Sequence, residues 1–328
     1  MARMFEFLPT DVTDGVNADG NNVVGLTCPI VKAGMSPADA ANNPRADHEK
    51  MAAFIENDLN LAEEYIVNLK ERANNSLPDK AEKYIVNLTN TSSNTMPDLA
   101  CVYGLKARLY MWNEDYENAA IYARKAINAS SVPVISKERY LDTKTGFNTA
   151  SDFMWAASYT SEDWAVQTGI INWPSHLCSM TGNGYTTGIG MNVVHKRINS
   201  ALWERIPETD VRKGWWVNAD MFSPNLEYAY GTGASVGIAN AAVFATYTNV
   251  KFGPQDNIVF NTENSQDWPL MRAEEMLLIQ AEALGRSAGV DAGKQVLEGF
   301  VKNYRDPSYT CTATDLDPFV DELWFQRR

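Results

Sequence analysis

The sequence predicts a mainly α-helical fold, a tetratricopeptide-like helical solenoid interrupted by an irregular, loop-rich insertion. Three observations carry that expectation. Apolar residues recur at three- and four-residue steps in the first and last thirds of the chain. One helical pair places small residues where two helices must approach closely. The middle, residues 130–268, is dense in Gly, Asn, Ser and Thr and has few long apolar runs.

Taken in order, Ala2–Phe7 reads as the interior of an amphipathic helix with no cap before it, and residues 9–46 read as an irregular loop rich in Gly, Asn, Asp and Pro. From Asp47 the stripe Met51, Phe54, Ile55, Leu59, Ala62, Tyr65, Ile66 and Leu69 predicts a helix of about 24 residues. Asp47 is its N-cap, with Lys50 in place of the usual acidic capping-box partner. Between Leu99 and Asn128, Ala107, Tyr110, Tyr116, Ala119 and Ala126 fall at tetratricopeptide spacings, with the turn at Asn113-Glu114-Asp115. A second pair is expected over Met271–Gly285, stopping at the glycine, and Ala292–Tyr304. Between them, Phe153–Tyr159 reads as a short strand and Val193–Trp203 as a helix. The chain closes at Leu323–Arg328, again within an amphipathic pattern. These readings divide it into a helical part over 1–129, the insertion over 130–268, and a second helical part over 269–328.

Composition narrows the function. At 328 residues, 45% hydrophobic and 21% charged, the sequence is that of a folded globular protein. No window approaches the roughly 18 apolar residues of a membrane-spanning helix. A net charge of −13 and the lack of a Lys/Arg run argue against nucleic acid as a partner, whereas neutral ligands suit such a surface. Cys28, Cys101, Cys178 and Cys311 are dispersed, form no CxxC pair and read as free thiols, with a disulfide between distant members left open. His48, His176 and His195 lack metal-site spacing, and hydrolase, nucleotide and dinucleotide motifs are missing, so no cofactor or metal is expected.

The run Trp268-Pro269-Leu270-Met271-Arg272-Ala273-Glu274-Glu275-Met276-Leu277-Leu278-Ile279-Gln280-Ala281-Glu282-Ala283 resembles the C-terminal signature helix of SusD/RagB proteins. Further segments agree in order: Asn43-Pro44-Arg45 with Phe54–Ala62, Ala107-Arg108-Leu109-Tyr110 with Asp115–Ala119, Thr209-Asp210-Val211-Arg212-Lys213, and Asp321–Arg328. The resemblance spans nearly the whole sequence. It implies a SusD-like fold of about four tetratricopeptide-like units carrying a loop-rich ligand subdomain. It also implies a non-enzymatic surface lipoprotein that binds an oligo- or polysaccharide and acts as the lid of a SusC-like TonB-dependent outer-membrane transporter. The family's lipobox cysteine, its N-terminal helices and its arm beyond Arg328 are expected outside the present sequence.

A sugar ring packs its C–H face on an indole or phenol, with amides and carboxylates holding its hydroxyls. Trp164, Trp173 and Tyr185 stand among glycines, asparagines and serines that include Asn183, and Tyr228 and Tyr230 lie in a second loop, so these six are the candidate ligand residues. The plainer alternative is that loop aromatics plug the loop onto the scaffold. Trp155 and Trp203 read as core, Trp112 and Trp268 as structural, and Trp215-Trp216 as pointing to opposite faces if extended. Asp210 with Arg212 reads as a loop-holding ion pair, and Arg272, Glu274 and Glu275 as helix-start charges and packing contacts. Two other functions remain open: a helical-fold glycoside hydrolase using Glu162, Asp163 and Asp210, and a scaffold binding peptides in the groove of the Leu99–Asn128 pair.

Overall fold

The computed structural model describes residues 24–74, 95–142, 150–160, 162–164, 197–225, 246–251 and 267–328. These are mainly α-helical, with two small two-stranded sheets.

The segment expected to be loop contains more order than its composition suggests. Strand β1 (Leu26–Pro29) pairs antiparallel with β2 (Arg45–Asp47), and helix α1 (Pro37–Ala41) sits between them, capped by Ser36, which accepts from the Asp39 amide at 3.1 Å. The buried Thr27 hydroxyl donates to the Ala46 carbonyl at 2.8 Å, and Gly25 turns with φ 68° so that its carbonyl meets the His48 amide at 3.0 Å. The pairing joins segments 19 residues apart, which is why a local reading of turn residues missed it.

Helix α2 (His48–Asn74) begins where expected. The Lys50 amide donates to Asp47 at 2.8 Å while the Lys50 ammonium pairs with the same carboxylate at 2.6 Å, so the lysine takes the capping-box place by charge. Met51, Ile55 and Leu59 are buried against α3 (Leu99–Trp112). Helix α4 (Tyr116–Ala129) follows α3 after the turn, where Glu114 takes φ 59° and Asp115 caps the Asn118 amide. Ala107, Ala119, Ala123 and Ala126 have no exposed surface, so the two helices meet without a side chain to hold them apart. Lys106, itself buried, reaches α2 through an ion pair with Glu63, and the Tyr110 hydroxyl donates to Glu56 at 2.7 Å.

Helix α5 (Lys137–Leu141) leads to a 3₁₀ turn (Ala150–Asp152) and strand β3 (Trp155–Ala157), which pairs antiparallel with β4 (Trp268–Met271). The expected strand is thus present but three residues long, with Phe153 and Met154 buried before it. The expected helix over 193–203 is corrected. Residues 193–196 lie outside the described residues, Arg197 forms an isolated bridge with Thr248, and Asn199 caps a short α6 (Ser200–Glu204). Helical spacing had read through the asparagine that starts the helix.

Helix α7 (Ala273–Ser287) is the hub, touching α3, α4, α8 (Val290–Tyr304) and α9 (Leu316–Arg327). It does not stop at Gly285. A β-carbon there would lie 2.3 Å from the Phe319 ring of α9, so the glycine is an interior position emptied for that ring, and the chain breaks instead at Gly289, with φ 104°. Phe319, Leu297, Val301 and Leu323 have no exposed surface and form the core of this last packing unit.

Candidate functional site

Of the six candidate ligand residues, Trp173, Asn183, Tyr185, Tyr228 and Tyr230 lie outside the described residues. Trp164 is described, and it is 72% exposed. It follows a tight turn in which Asp163 accepts from the Thr160 amide at 2.6 Å and hydroxyl at 3.2 Å, while the Asp163 amide donates back to the Thr160 carbonyl at 3.0 Å. That turn is tied to the β3–β4 ladder, because the Tyr159 amide donates to Asp267 at 3.3 Å.

The same corner holds a residue the sequence reading set aside. Trp268, expected to be structural at a helix edge, opens β4 instead, opposite Ala157, and is 40% exposed. Its signal was Pro269, since a residue preceding proline is held extended and proline is tolerated early in a strand. Trp164 and Trp268 are thus two exposed indoles, and an indole face is the kind of apolar surface on which a polyhydroxylated ring stacks.

The other aromatics are accounted for by packing. Trp155 is half-buried against the α3, α4 and α7 core. Trp203 is half-buried, with its ring nitrogen donating to the Lys213 carbonyl at 3.2 Å and the Lys213 ammonium 3.8 Å from its centroid. Trp112 lies against His48, with ring centroids 4.0 Å apart. Trp215 and Trp216 are not an extended pair on opposite faces: Trp215 ends a 3₁₀ turn (Val211–Trp215) and is buried, Trp216 bridges Asn249, and the two rings lie 6.4 Å apart at 56°.

The carboxylates divide by environment. Asp210 is buried and caps the 3₁₀ turn, accepting from the Arg212 amide at 2.9 Å and gripping the same residue's guanidinium at 2.7 Å and 3.1 Å. A carboxylate so engaged is a brace rather than half of an acid and base pair. Glu275 forks Arg108 of α3 at 2.6 Å, and Arg272 pairs with Glu274 at 3.0 Å, so the helix-start charges serve packing. The α3–α4 hairpin packs against α2 through α3 and against α7 through both of its helices. Exposed Glu114, Glu117 and Arg124 lie on its remaining surface.

A cavity of about 460 Å³ opens beside Thr209, Asp306, Ser308, Tyr309 and Glu322. Its polar groups satisfy one another: Asp306 accepts from Ser308 and Thr209, and the Tyr309 hydroxyl donates to Glu322 at 2.9 Å. Burial, then the Glu322 charge, push the Tyr309 phenol far above its ordinary value. Cys28, Cys101 and Cys311 are free thiols, and burial pushes Cys101 well up, while Cys178 lies outside the described residues. Among the described residues no group of three or more His, Cys, Asp or Glu side chains is placed to hold a metal, and no helix is long and apolar enough to cross a membrane.

No protein-family model matches the sequence, and no curated protein matches it. Solved structures do. The chain aligns over 93% of its length with 53% of a SusD-like carbohydrate binding protein from Bacteroides vulgatus ATCC 8482, at 19% identity and a TM-score of 0.60. It aligns over 96% with 58% of a SusD superfamily protein from Bacteroides thetaiotaomicron VPI-5482, at 16% identity and 0.61. A SusD superfamily protein from Bacteroides fragilis NCTC 9343 matches 92% of it over 61% of its own length, at 14% identity and 0.56. The chain therefore has the fold of SusD-like proteins and spans somewhat more than half the length of these structures.

Proposed function

We propose that this chain is a large part of a SusD/RagB-type surface protein that binds an oligo- or polysaccharide without cleaving it and delivers it to a SusC-like TonB-dependent transporter. The observation that carries the reading is the shared fold over nearly the whole chain with proteins of which one is described as carbohydrate binding. Trp164 supports it, as an indole 72% exposed at a braced turn where burial gives no reason for it. In this reading residues 130–268 are the ligand part, with Trp173, Asn183, Tyr185, Tyr228 and Tyr230 joining Trp164. The helical parts over 1–129 and 269–328 form a tetratricopeptide-like scaffold, anchored at the outer membrane by a lipid outside the present sequence. Glu114, Glu117 and Arg124 are the surface offered to the transporter. The engagement of Asp210 by Arg212 weighs against the hydrolase, and the packing of α2 and α7 onto the hairpin against the peptide scaffold.

The test is a screen of polysaccharides and oligosaccharides by affinity electrophoresis and calorimetry, with product release followed in the same samples. Saturable binding without products is expected, with Trp164→Ala weakening it roughly tenfold, or about 1.4 kcal/mol, and leaving the melting temperature unaltered. Released sugar products, or full affinity after both Trp164→Ala and Trp173→Ala, would overturn the proposal.

A further inference from the structure

The connection between α8 and α9 runs along the 460 Å³ cavity, whose described lining includes Tyr309, Thr310, Cys311, Thr312 and Ala313. Burial alternates through it, with Cys311 3% exposed between exposed Thr310 and Thr312. A two-residue repeat is that of an extended chain, in which the N–H and C=O of one residue face one side and those of the next face the other. The hydrogen bonds follow the same repeat. On one side α8 holds the chain: Glu298 accepts from the Cys311 amide at 3.0 Å, and the Lys294 ammonium donates to the Ala313 carbonyl at 2.9 Å. Among the described residues nothing hydrogen-bonds to Thr310 or Thr312, through backbone or hydroxyl. The segment is therefore bonded like a strand at the rim of a sheet, with one edge satisfied by side chains and the other open, and an open edge is a template for a further strand. Glu322 lines the same cavity. Its Oε1 takes both the Tyr309 hydroxyl at 2.9 Å and the Gln326 amide at 3.0 Å, which holds the carboxylate in place and leaves Oε2 without a partner among the described residues.

From these observations we infer that the cavity binds a short extended peptide, which adds a strand along Thr310 and Thr312 and sets a lysine or arginine side chain on Glu322. Main-chain pairing of this kind supplies affinity for any extended chain, and side-chain contacts select among sequences. The Oε2 atom of Glu322 supplies that selection, because a cationic side chain gains a charge-assisted bond there that a neutral one does not. The volume lies in the range of about 300–1,000 Å³ found for small-ligand sites, which admits a few residues and not a folded partner. This inference does not rest on the glycan-capture reading, because none of its six candidate residues is in the described lining of the cavity.

The experiment is residue-resolved amide hydrogen exchange of the full chain, with and without an acetylated, amidated pentapeptide of alternating valine and lysine. In the free chain the Cys311 amide should exchange slowly and those of Thr310 and Thr312 fast. Saturating peptide should slow Thr310 and Thr312 at least about tenfold. The same peptide N-methylated at every amide keeps its side chains but loses its donors, and should bind at least about tenfold more weakly, as should the version with glutamate for lysine. Thr310→Pro, at an exposed position, removes one edge donor and should weaken binding, while Glu322→Gln should narrow the gap between the lysine and glutamate peptides. Near-ultraviolet circular dichroism of each variant separates lost binding from lost folding. Slow exchange of Thr310 and Thr312 in the free chain overturns the proposal, because the edge would then already be covered. So do equal affinity for the N-methylated peptide and no slowing at about 10 mM peptide. Saturation by glucose with the peptide silent overturns it in favour of a polyol site.

Discussion

Replacing Asp210 with alanine is the sharpest perturbation of the scaffold. Both members of the Asp210 and Arg212 pair are 3% exposed, so the change strands a buried guanidinium in surroundings that solvate it poorly. Removing one partner of a buried ion pair costs about 3–5 kcal/mol. The loss of the bond from the Arg212 amide adds about 1 kcal/mol, as for a helix cap. Arg212 also donates to the Phe325 carbonyl at 3.4 Å, with its guanidinium 5.2 Å from the Phe325 ring. The double variant Asp210→Ala/Arg212→Met therefore keeps an apolar stem against that ring and removes the stranded charge. Urea unfolding followed by far-ultraviolet circular dichroism should show the double variant at least about 2 kcal/mol more stable than Asp210→Ala alone. The reasoning fails if the single variant costs less than about 1 kcal/mol, or if the double variant is the less stable of the two.

Two further outcomes test the packing and the titration. A β-carbon at Gly293 would lie 2.6 Å from the Ala281 carbonyl and 2.6 Å from the Phe319 ring, so Gly293→Ala should destabilise by about 1–3 kcal/mol despite the better helix former. In a Phe319→Leu background the same change should cost measurably less in thermal melts, and an equal cost would show that the ring is not what the glycine accommodates. For Asp306, burial pushes the carboxyl up, but hydrogen bonds from Ser308 and Thr209 outweigh it and hold the carboxyl below its ordinary value of 3.8. A depressed folded value means this stabilisation is present above the ordinary value and is lost as pH falls through the folded one. Acid titration of stability below about pH 4 should thus be shallower in Asp306→Asn than in the parent, and superimposable curves would remove Asp306 from the acid response.

How much was legible in the sequence varied with the range of the interaction. The cap at Asp47, the alanines that let α3 and α4 meet, and the Asp210 brace are local patterns whose partners lie within a few residues or one helical turn, and they read correctly. The β1–β2 ladder and the end of α7 read wrongly, because each is decided by a partner further along the chain, Ala46 for Thr27 and Phe319 for Gly285, whereas at α6 helical spacing passed over the local cap at Asn199. Trp164 stood out in the sequence because an aromatic among turn residues has no helical stripe to explain it, and it is exposed. Trp268 was missed because its exposure follows from pairing with Ala157, more than a hundred residues away.

By itself the sequence determined the helical character, the placement of the main helices and the net acidic charge, since these rest on periodicity and composition. Tertiary structure alone decided which side chains meet. No spacing in the sequence brings Arg212, Lys251, Arg272, Arg305 and Arg327 to one cavity or sets Trp268 beside the Trp164 turn, because those groupings arise only when elements distant in the chain pack to bury their apolar faces.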